Sequence, residues 1–212
     1  MVVRKKIFST ALFAPVQYFA HLYNAGEADI EHNCNYSRQS YRNRFVIYGA
    51  NGSLPLSVPV VKKSGEKTIT RDVRVSYDTP WNEVHWKSIE SAYNSSPYYL
   101  YYKDDIEPIF KKRWNFLIDM NMAALTVAME CTGVDTSVKF TESYIDIYSE
   151  AEDYRNTIHP KIDFLTDPLF TPHPYRQVFL GVGGFVPNLS ILDLIFNKGP
   201  ESLLVLRDSL KQ

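Results

Sequence analysis

Cysteine is scarce: Cys34 and Cys131 are the whole complement of a 212-residue chain. Two thiols so far apart make neither a disulfide framework nor a zinc cluster, and a reducing, cytoplasmic compartment fits. Surplus charge is also lacking. The 23 Lys and Arg meet 24 Asp and Glu, a net −1. A whole-surface nucleic-acid binder is strongly basic, so DNA is not an expected partner and any anion site has to be a local patch. No apolar run approaches the ~20 residues of a membrane-spanning helix. Ile7 to Ala14, behind Arg4-Lys5-Lys6, mimics a signal peptide, but Pro15 and Gln17 interrupt it and the run reads as a buried first strand. Several catalytic signatures are missing too: Gly-x-Ser-x-Gly, a Cys/His pairing and His-Glu-x-x-His. Serine or cysteine nucleophiles and zinc hydrolysis therefore have no support, and no metal is expected. Gly181-Val182-Gly183-Gly184 lacks the strand–loop–Lys context of a phosphate loop.

What is abundant is aromatic: 15 Tyr and 12 Phe. So many rings are costly to leave in water, which argues for an ordered chain. Its length suits one domain, 1–212, with a core needing no staple. The pattern predicts a mixed α/β (α+β) fold. A small mixed sheet with an N-terminal βαβ unit and a β-hairpin occupies 1–78. Helical parts follow over 79–132 and 188–210, and an irregular acidic connection fills 133–175. In detail, 6–13 reads as a strand, Val16 to Ala25 as a helix stopped by Gly26, and Ala28 to Glu31 as a strand. Phe45 to Tyr48 and Leu54 to Val60 flank Ala50-Asn51-Gly52-Ser53, a strong hairpin signal. Residues 62–67 read as a solvated loop, and Val73 to Tyr77 alternates like a half-buried strand. Thr79, Pro80 and Glu83 open a helix to about Tyr93, and 98–112 holds one or two short helices. Trp114 to Glu130 reads as a central buried helix. Residues 140–170 carry seven acidic and two basic side chains and are broken by prolines. Ser190 and Asp193 suggest a helix start, with Gly199 as its stop and Pro200 opening a last helix.

Three groups of residues could carry chemistry. Residues 37–75 hold eight basic and two acidic side chains, a local +6. Within that stretch and at its edge, Tyr36, Arg42, Asn43 and Arg44 offer guanidinium forks for phosphate or carboxylate and rings to flank a sugar or base. A solvated basic face is the alternative. His85, with Tyr93 eight residues on, shares a helix face and is a candidate general base; the alternative is a histidine bonded at a helix contact. Glu31 ends a strand, where open α/β sheets place functional groups, or is a salt-bridging carboxylate. The loop around Pro15 has some likeness to nucleotidylyltransferases but lacks their paired histidines.

Several segments, taken in order, carry a resemblance. They are Pro15 with Tyr18-Phe19; Tyr36 and Arg42-Asn43-Arg44; Val58-Pro59-Val60; His85-Trp86; Tyr93-Asn94-Ser95-Ser96-Pro97-Tyr98; and the distinctive run from Gly184 through Asn188 to Leu194, with Phe196-Asn197 and Gly199. Together they resemble the WbqC-like family over nearly the whole chain. The resemblance implies a bacterial protein of surface-polysaccharide (O-antigen-type, lipopolysaccharide) biosynthesis, and for some members a glycine-transferase role. It brings no set of catalytic residues with it. Some relatives carry an Asp-Asp pair where this chain has His32-Asn33.

Two functions follow as expectations. The first is an acyl- or aminoacyl-transferase acting on an amino sugar or nucleotide-sugar. In it His85 or Glu31 is the base, and Arg42 and Arg44 hold a phosphate of the sugar or of a donor such as charged tRNA or acyl-CoA. Asn43 or Tyr36 donates to the oxyanion, and Tyr93 and Asn188 contact substrate. The expected partner is a small phosphorylated or sugar ligand; the oligomeric state is left open. The second is a non-catalytic binding or assembly protein, suggested by the Tyr-rich segment at 93–102. A cavity joining 36–44 to 85–93 would separate the two.

Overall fold

In a computed structural model, residues 5–61 and 67–211 are described. The expected solvated loop, apart from Lys67, and Arg4 of the leader-like stretch lie outside them. The expected mixed α/β architecture is present, as two separate sheets with helices concentrated in the C-terminal half. The first sheet is wholly parallel. Strand β1 (Lys6–Ser9) leads through helix α1 (Val16–Tyr23) to β2 (Glu27–Glu31), with Lys6 opposite Ala28. Ile7 and Phe8 are fully buried, as a central parallel strand requires. The second sheet is an antiparallel hairpin of β3 (Arg44–Gly49) and β4 (Gly52–Ser57), turning on Ala50 and Asn51. Gly52, at φ 103°, takes the positive φ that such a turn needs.

Helix α2 (Trp81–Tyr93), α3 (Tyr99–Lys111) and α4 (Leu117–Thr132) follow, α4 ending at Gly133 with φ 74°. The segment read as an irregular connection then supplies two more strands, β5 (Ser137–Phe140) and β6 (Glu152–Asp153). They complete the parallel sheet in the order β5-β2-β1-β6. The single turn α5 (Leu180–Gly183), α6 (Ile191–Lys198) and α7 (Ser202–Asp208) close the chain.

Some local expectations are corrected. Strand β1 stops at Ser9, because residues 10–15 turn away to the hairpin loop and to the start of α6: Leu12 N–H donates to the Tyr41 carbonyl and Ile191 N–H to that of Ala14. Val73 to Tyr77 is not a strand: Val75 bridges Val60 while Arg74 bridges Phe116, so no neighbour runs along it. Thr79 does not cap α2, whose first turn starts from Pro80 with no side-chain cap. The first helix ends at Tyr23 rather than at Gly26.

Helix α6 is the centre of the core, buried from Ile191 to Asn197 and touching α1, α3, α4, α7 and β3. Ser190 caps it, Oγ accepting from the Leu192 N–H at 3.3 Å. At its other end Gly199 has φ 50°, and a Cβ there would lie 2.5 Å from the Tyr98 ring. Inside α6, Asp193 is fully buried and accepts from Tyr93 Oη (3.0 Å), Tyr175 Oη (2.7 Å) and Gln177 Nε2 (2.8 Å). Burial outweighs these three donors and pushes its carboxyl up to about 6 from 3.8.

The folded state thus favours protonated Asp193. Its contribution to stability is complete below the unfolded value of 3.8 and is lost as pH rises through about 6. Asp193→Asn removes this titration. Relative to the parent, the variant is expected to gain up to about 3 kcal/mol between roughly pH 4 and pH 7, read from urea midpoints.

Candidate functional site

The carboxyl ends of the parallel strands are Ser9, Glu31, Phe140 and Asp153. From β1 the chain moves outward to β2 and β5, then returns to place β6 on the other side of β1. The order therefore reverses at β1, and in open parallel sheets ligands bind beyond the strand ends at such a point. A cleft of about 460 Å³ opens there. Its walls carry Arg42, Arg155 and His159, the amides Asn33, Asn35 and Asn156, and Tyr144; no described carboxylate lines it.

The two arginines are held differently. The Arg155 guanidinium is fully engaged. Nε and Nη2 fork onto Asp153 at 2.9 and 2.6 Å, Nη1 donates to the Ile145 carbonyl (2.7 Å) and Nη2 to that of Asp146 (2.9 Å). Tyr144 and Tyr148 place their rings 5.4 and 4.9 Å from it, and Glu31 Oε2 lies 3.6 Å from Nη1. The hydrogen bonds to Asp153 raise its pKa further. Arg42 is 7% exposed, yet Nη2 meets neutral atoms, Ser9 Oγ at 2.9 Å and Cys34 Sγ at 3.4 Å. Nε has no partner, and no described carboxylate comes within ion-pairing distance. A buried cation without a counter-ion is costly, and a bound anion offsets that cost. Its backbone is fixed from the core: the buried Asn121 Nδ2 donates to the Arg42 carbonyl at 2.8 Å and to Thr10 Oγ1 at 3.0 Å.

The sequence candidates divide in space. Arg42 lines the cleft. Glu31 lies beneath it, fully buried, Oε1 accepting from the N–H groups of Asn33 (2.5 Å) and Cys34 (3.1 Å). It shapes the turn after β2 and faces Arg155, with no surface on the cleft. The half-buried Tyr36 has an unpartnered hydroxyl pushed up to about 12 by burial, although the charges of Arg42 and Arg38 pull it down. Arg44 opens β3 with Nε buried and unpartnered, and Asn43 Nδ2 donates to the Val58 carbonyl at 2.8 Å.

His85 is not brought to Arg42. It packs edge-on against Phe45 (6.0 Å) and Trp81 (5.3 Å), and burial there lowers its pKa to about 4. No described cavity is lined by both residues, so the expected chamber joining 36–44 to 85–93 does not form. Tyr93 is fully buried between the Tyr48 N–H (3.1 Å) and Asp193. Asn188, at φ 53°, caps α1: its Oδ1 accepts from the Gln17 N–H at 2.9 Å, and the Leu189 carbonyl takes the Val16 N–H at 2.9 Å. The first free donors of α1 are thereby occupied, and an anion has to be held by the arginines.

Sequence reasoning missed Arg155, Asn156, His159 and Tyr144. A signal was present: Arg155 and Lys161 are the two cations in the acidic 140–170 stretch. Among the described residues no three His, Cys, Asp or Glu side chains converge as a metal site requires.

The WbqC-like protein family matches this chain over residues 11–163, more than half its length. The chain belongs to that family. The matched span contains every residue that lines the cleft, from Asn33 to Ile162, and omits the Gly184–Leu194 run that stood out in the sequence. An uncharacterized protein of Mycobacterium tuberculosis, Rv1507c, is 24% identical over 207 residues, covering 87% of this chain and 89% of its own. No solved structure matches. Within this WbqC-like chain, Asn33 lines the cleft, whereas His32 does not. His32 stacks on Phe140 at 4.4 Å, and Asn33 bonds Thr141 and Arg71.

Glu31→Ala removes the acceptor of two backbone N–H groups and one of the two carboxylates facing the buried Arg155. It is expected to lower unfolding free energy by about 3 kcal/mol, with Glu31→Gln intermediate, measured by urea denaturation.

Proposed function

We propose that this WbqC-like protein is an acyl- or aminoacyl-transferase acting in the bacterial cytoplasm on a phosphorylated amino sugar or nucleotide-sugar of surface-polysaccharide, O-antigen-type biosynthesis. One observation carries the reading: a cleft at the carboxyl ends of the parallel strands, lined by no described carboxylate, around a buried guanidinium that no described acidic side chain neutralises. Arg42 holds a phosphate of the sugar, or of a donor such as charged tRNA or acyl-CoA, all of which carry phosphate. Amide formation joins the sugar amine to the acyl carbon and expels the donor's alcohol or thiol, which takes the amine proton. The amides of Asn35 and Asn156 line the cleft, and in this reading they, rather than Asn43 or Tyr36, donate to the oxyanion that develops. Tyr144 offers a ring face to a sugar.

A second reading, a non-catalytic binding or assembly protein, draws on Leu100 and Tyr101 of α3, which are 70% and 76% exposed. A single calorimetric series tests the anion cleft on which the transferase reading rests. Nucleotide-sugars and sugar phosphates are titrated into the parent, Arg42→Lys and Arg42→Ala. The transferase reading expects Arg42→Ala to weaken binding at least about tenfold and Arg42→Lys by less, since the charge stays while the fork is lost. Binding that Arg42→Ala leaves unchanged, in a variant with parental melting temperature, would remove the reading.

A further inference from the structure

His159 is a cleft residue that none of the roles above uses. It sits on the segment after β6, and its Nδ1 is 3.1 Å from the Lys161 backbone nitrogen, whose N–H donates to it. A ring nitrogen that accepts a hydrogen bond carries no proton. The single proton of the neutral imidazole is therefore on Nε2, and protonating Nδ1 would set two donors against each other.

The surroundings act in the same direction. Burial and the charges of Arg42 and Lys161 lower the pKa of His159. The groups that share its cleft are Arg42 from the loop before β3, Arg155 from its own segment, Cys34 from beyond β2 and Tyr144 from beyond β5; Lys161 faces the ring from its own segment. None is a carboxylate. Nε2 is thus fixed as a donor in a cleft whose charged groups are donors as well.

We propose that the cleft binds its ligand through a fully deprotonated phosphomonoester, with His159 donating from Nε2 as a neutral ring beside the Arg42 guanidinium. This rests on the anion-cleft reading above and adds the ligand's ionisation state and a specificity-determining residue. A monoprotonated phosphate has a P–OH that needs an acceptor. Here no described carboxylate lines the cleft to receive it, and the amides can turn their N–H groups to the ligand, so the doubly charged form is selected. The second ionisation of a phosphomonoester falls near pH 6. The dianion rises from about a tenth of the ligand at pH 5 to about nine-tenths at pH 7, so affinity should rise about tenfold. A sulfate, doubly charged throughout, should show no such change. Binding that required an imidazolium would instead weaken for sulfate over the same interval, and the loss would cancel the gain of the sugar phosphate.

The test is calorimetry of glucosamine 1-phosphate and of sulfate at about pH 5 and pH 7, on the parent, His159→Gln and His159→Ala. Melting temperatures confirm that each half-exposed substitution leaves the protein folded. The proposal expects the sugar phosphate to gain about tenfold on going to neutral pH and sulfate to stay level. His159→Gln, whose amide can present an N–H in place of Nε2, should keep the parental profile. His159→Ala should lose about tenfold for both anions at both pH values. Sulfate affinity that falls towards neutral pH while the sugar phosphate stays level, with His159→Ala flattening the sulfate curve, would overturn the neutral donor and leave the anion cleft standing. A His159→Ala variant that binds like the parent would overturn the role of His159. Failure of the folded parent to bind either anion would remove the inference together with the reading beneath it.

Discussion

Strand β6 contributes two residues to the parallel sheet and pairs with Lys6 and Ile7 of β1, flanked by the hydrogen bonds of Glu152 N to the Lys5 carbonyl and Tyr154 N to that of Ile7. So little pairing is a weak tether for an edge strand. The Arg155 guanidinium supplies what is missing. It grips Asp153 at the end of its own strand, two carbonyls of the loop after β5, and the field of Glu31 at the end of β2. Ser9 Oγ, at the end of β1, donates to the Arg155 carbonyl at 3.1 Å. Three strand ends and the loop that follows the fourth are thus gathered around one cation, and the cleft is the space left above it.

Against that saturated arginine, the second one stands out by contrast. Ser9 Oγ also accepts from Arg42, so one hydroxyl links the two guanidinium-bearing segments. Among the described residues Arg155 meets two carboxylates and Arg42 meets none, although both are nearly as buried as core residues. A chain with net charge −1 has acidic side chains to spare. Leaving one buried cation uncompensated at the strand ends concentrates positive potential where a ligand enters.

Much of the frame was legible because it rests on local rules. The Asn51-Gly52 hairpin, the first βαβ unit, α2, α4 and the Ser190-to-Gly199 helix each announce themselves by turn chemistry, period or caps. Strands β5 and β6 did not, because four and two residues are too short for any alternation to register. Their order in the sheet is set by contacts more than a hundred residues away. The same limit applies to the site. Arg42 was visible as part of a cationic cluster, whereas Arg155 and His159 sat in acidic, proline-broken sequence that reads as surface. His85 shows the converse. Helical spacing put it on a face with Tyr93, but the phase of a helix says nothing of what packs against it, and here aromatic rings do.

The capping of α1 has a consequence for how the chain is made. Its first two N–H groups are satisfied by Asn188 and Leu189, Ser190 Oγ donates to the Phe13 carbonyl at 2.8 Å, and Ile191 N donates to that of Ala14. The opening strand–helix unit is therefore anchored by residues synthesised some 170 positions later. On the ribosome, this unit emerges early but lacks its partners until the segment around Ser190 has followed. Folding of this topology is dominated by late, distant closures, and a chain arrested before Ser190 leaves the exit tunnel presents an incomplete first helix to its surroundings.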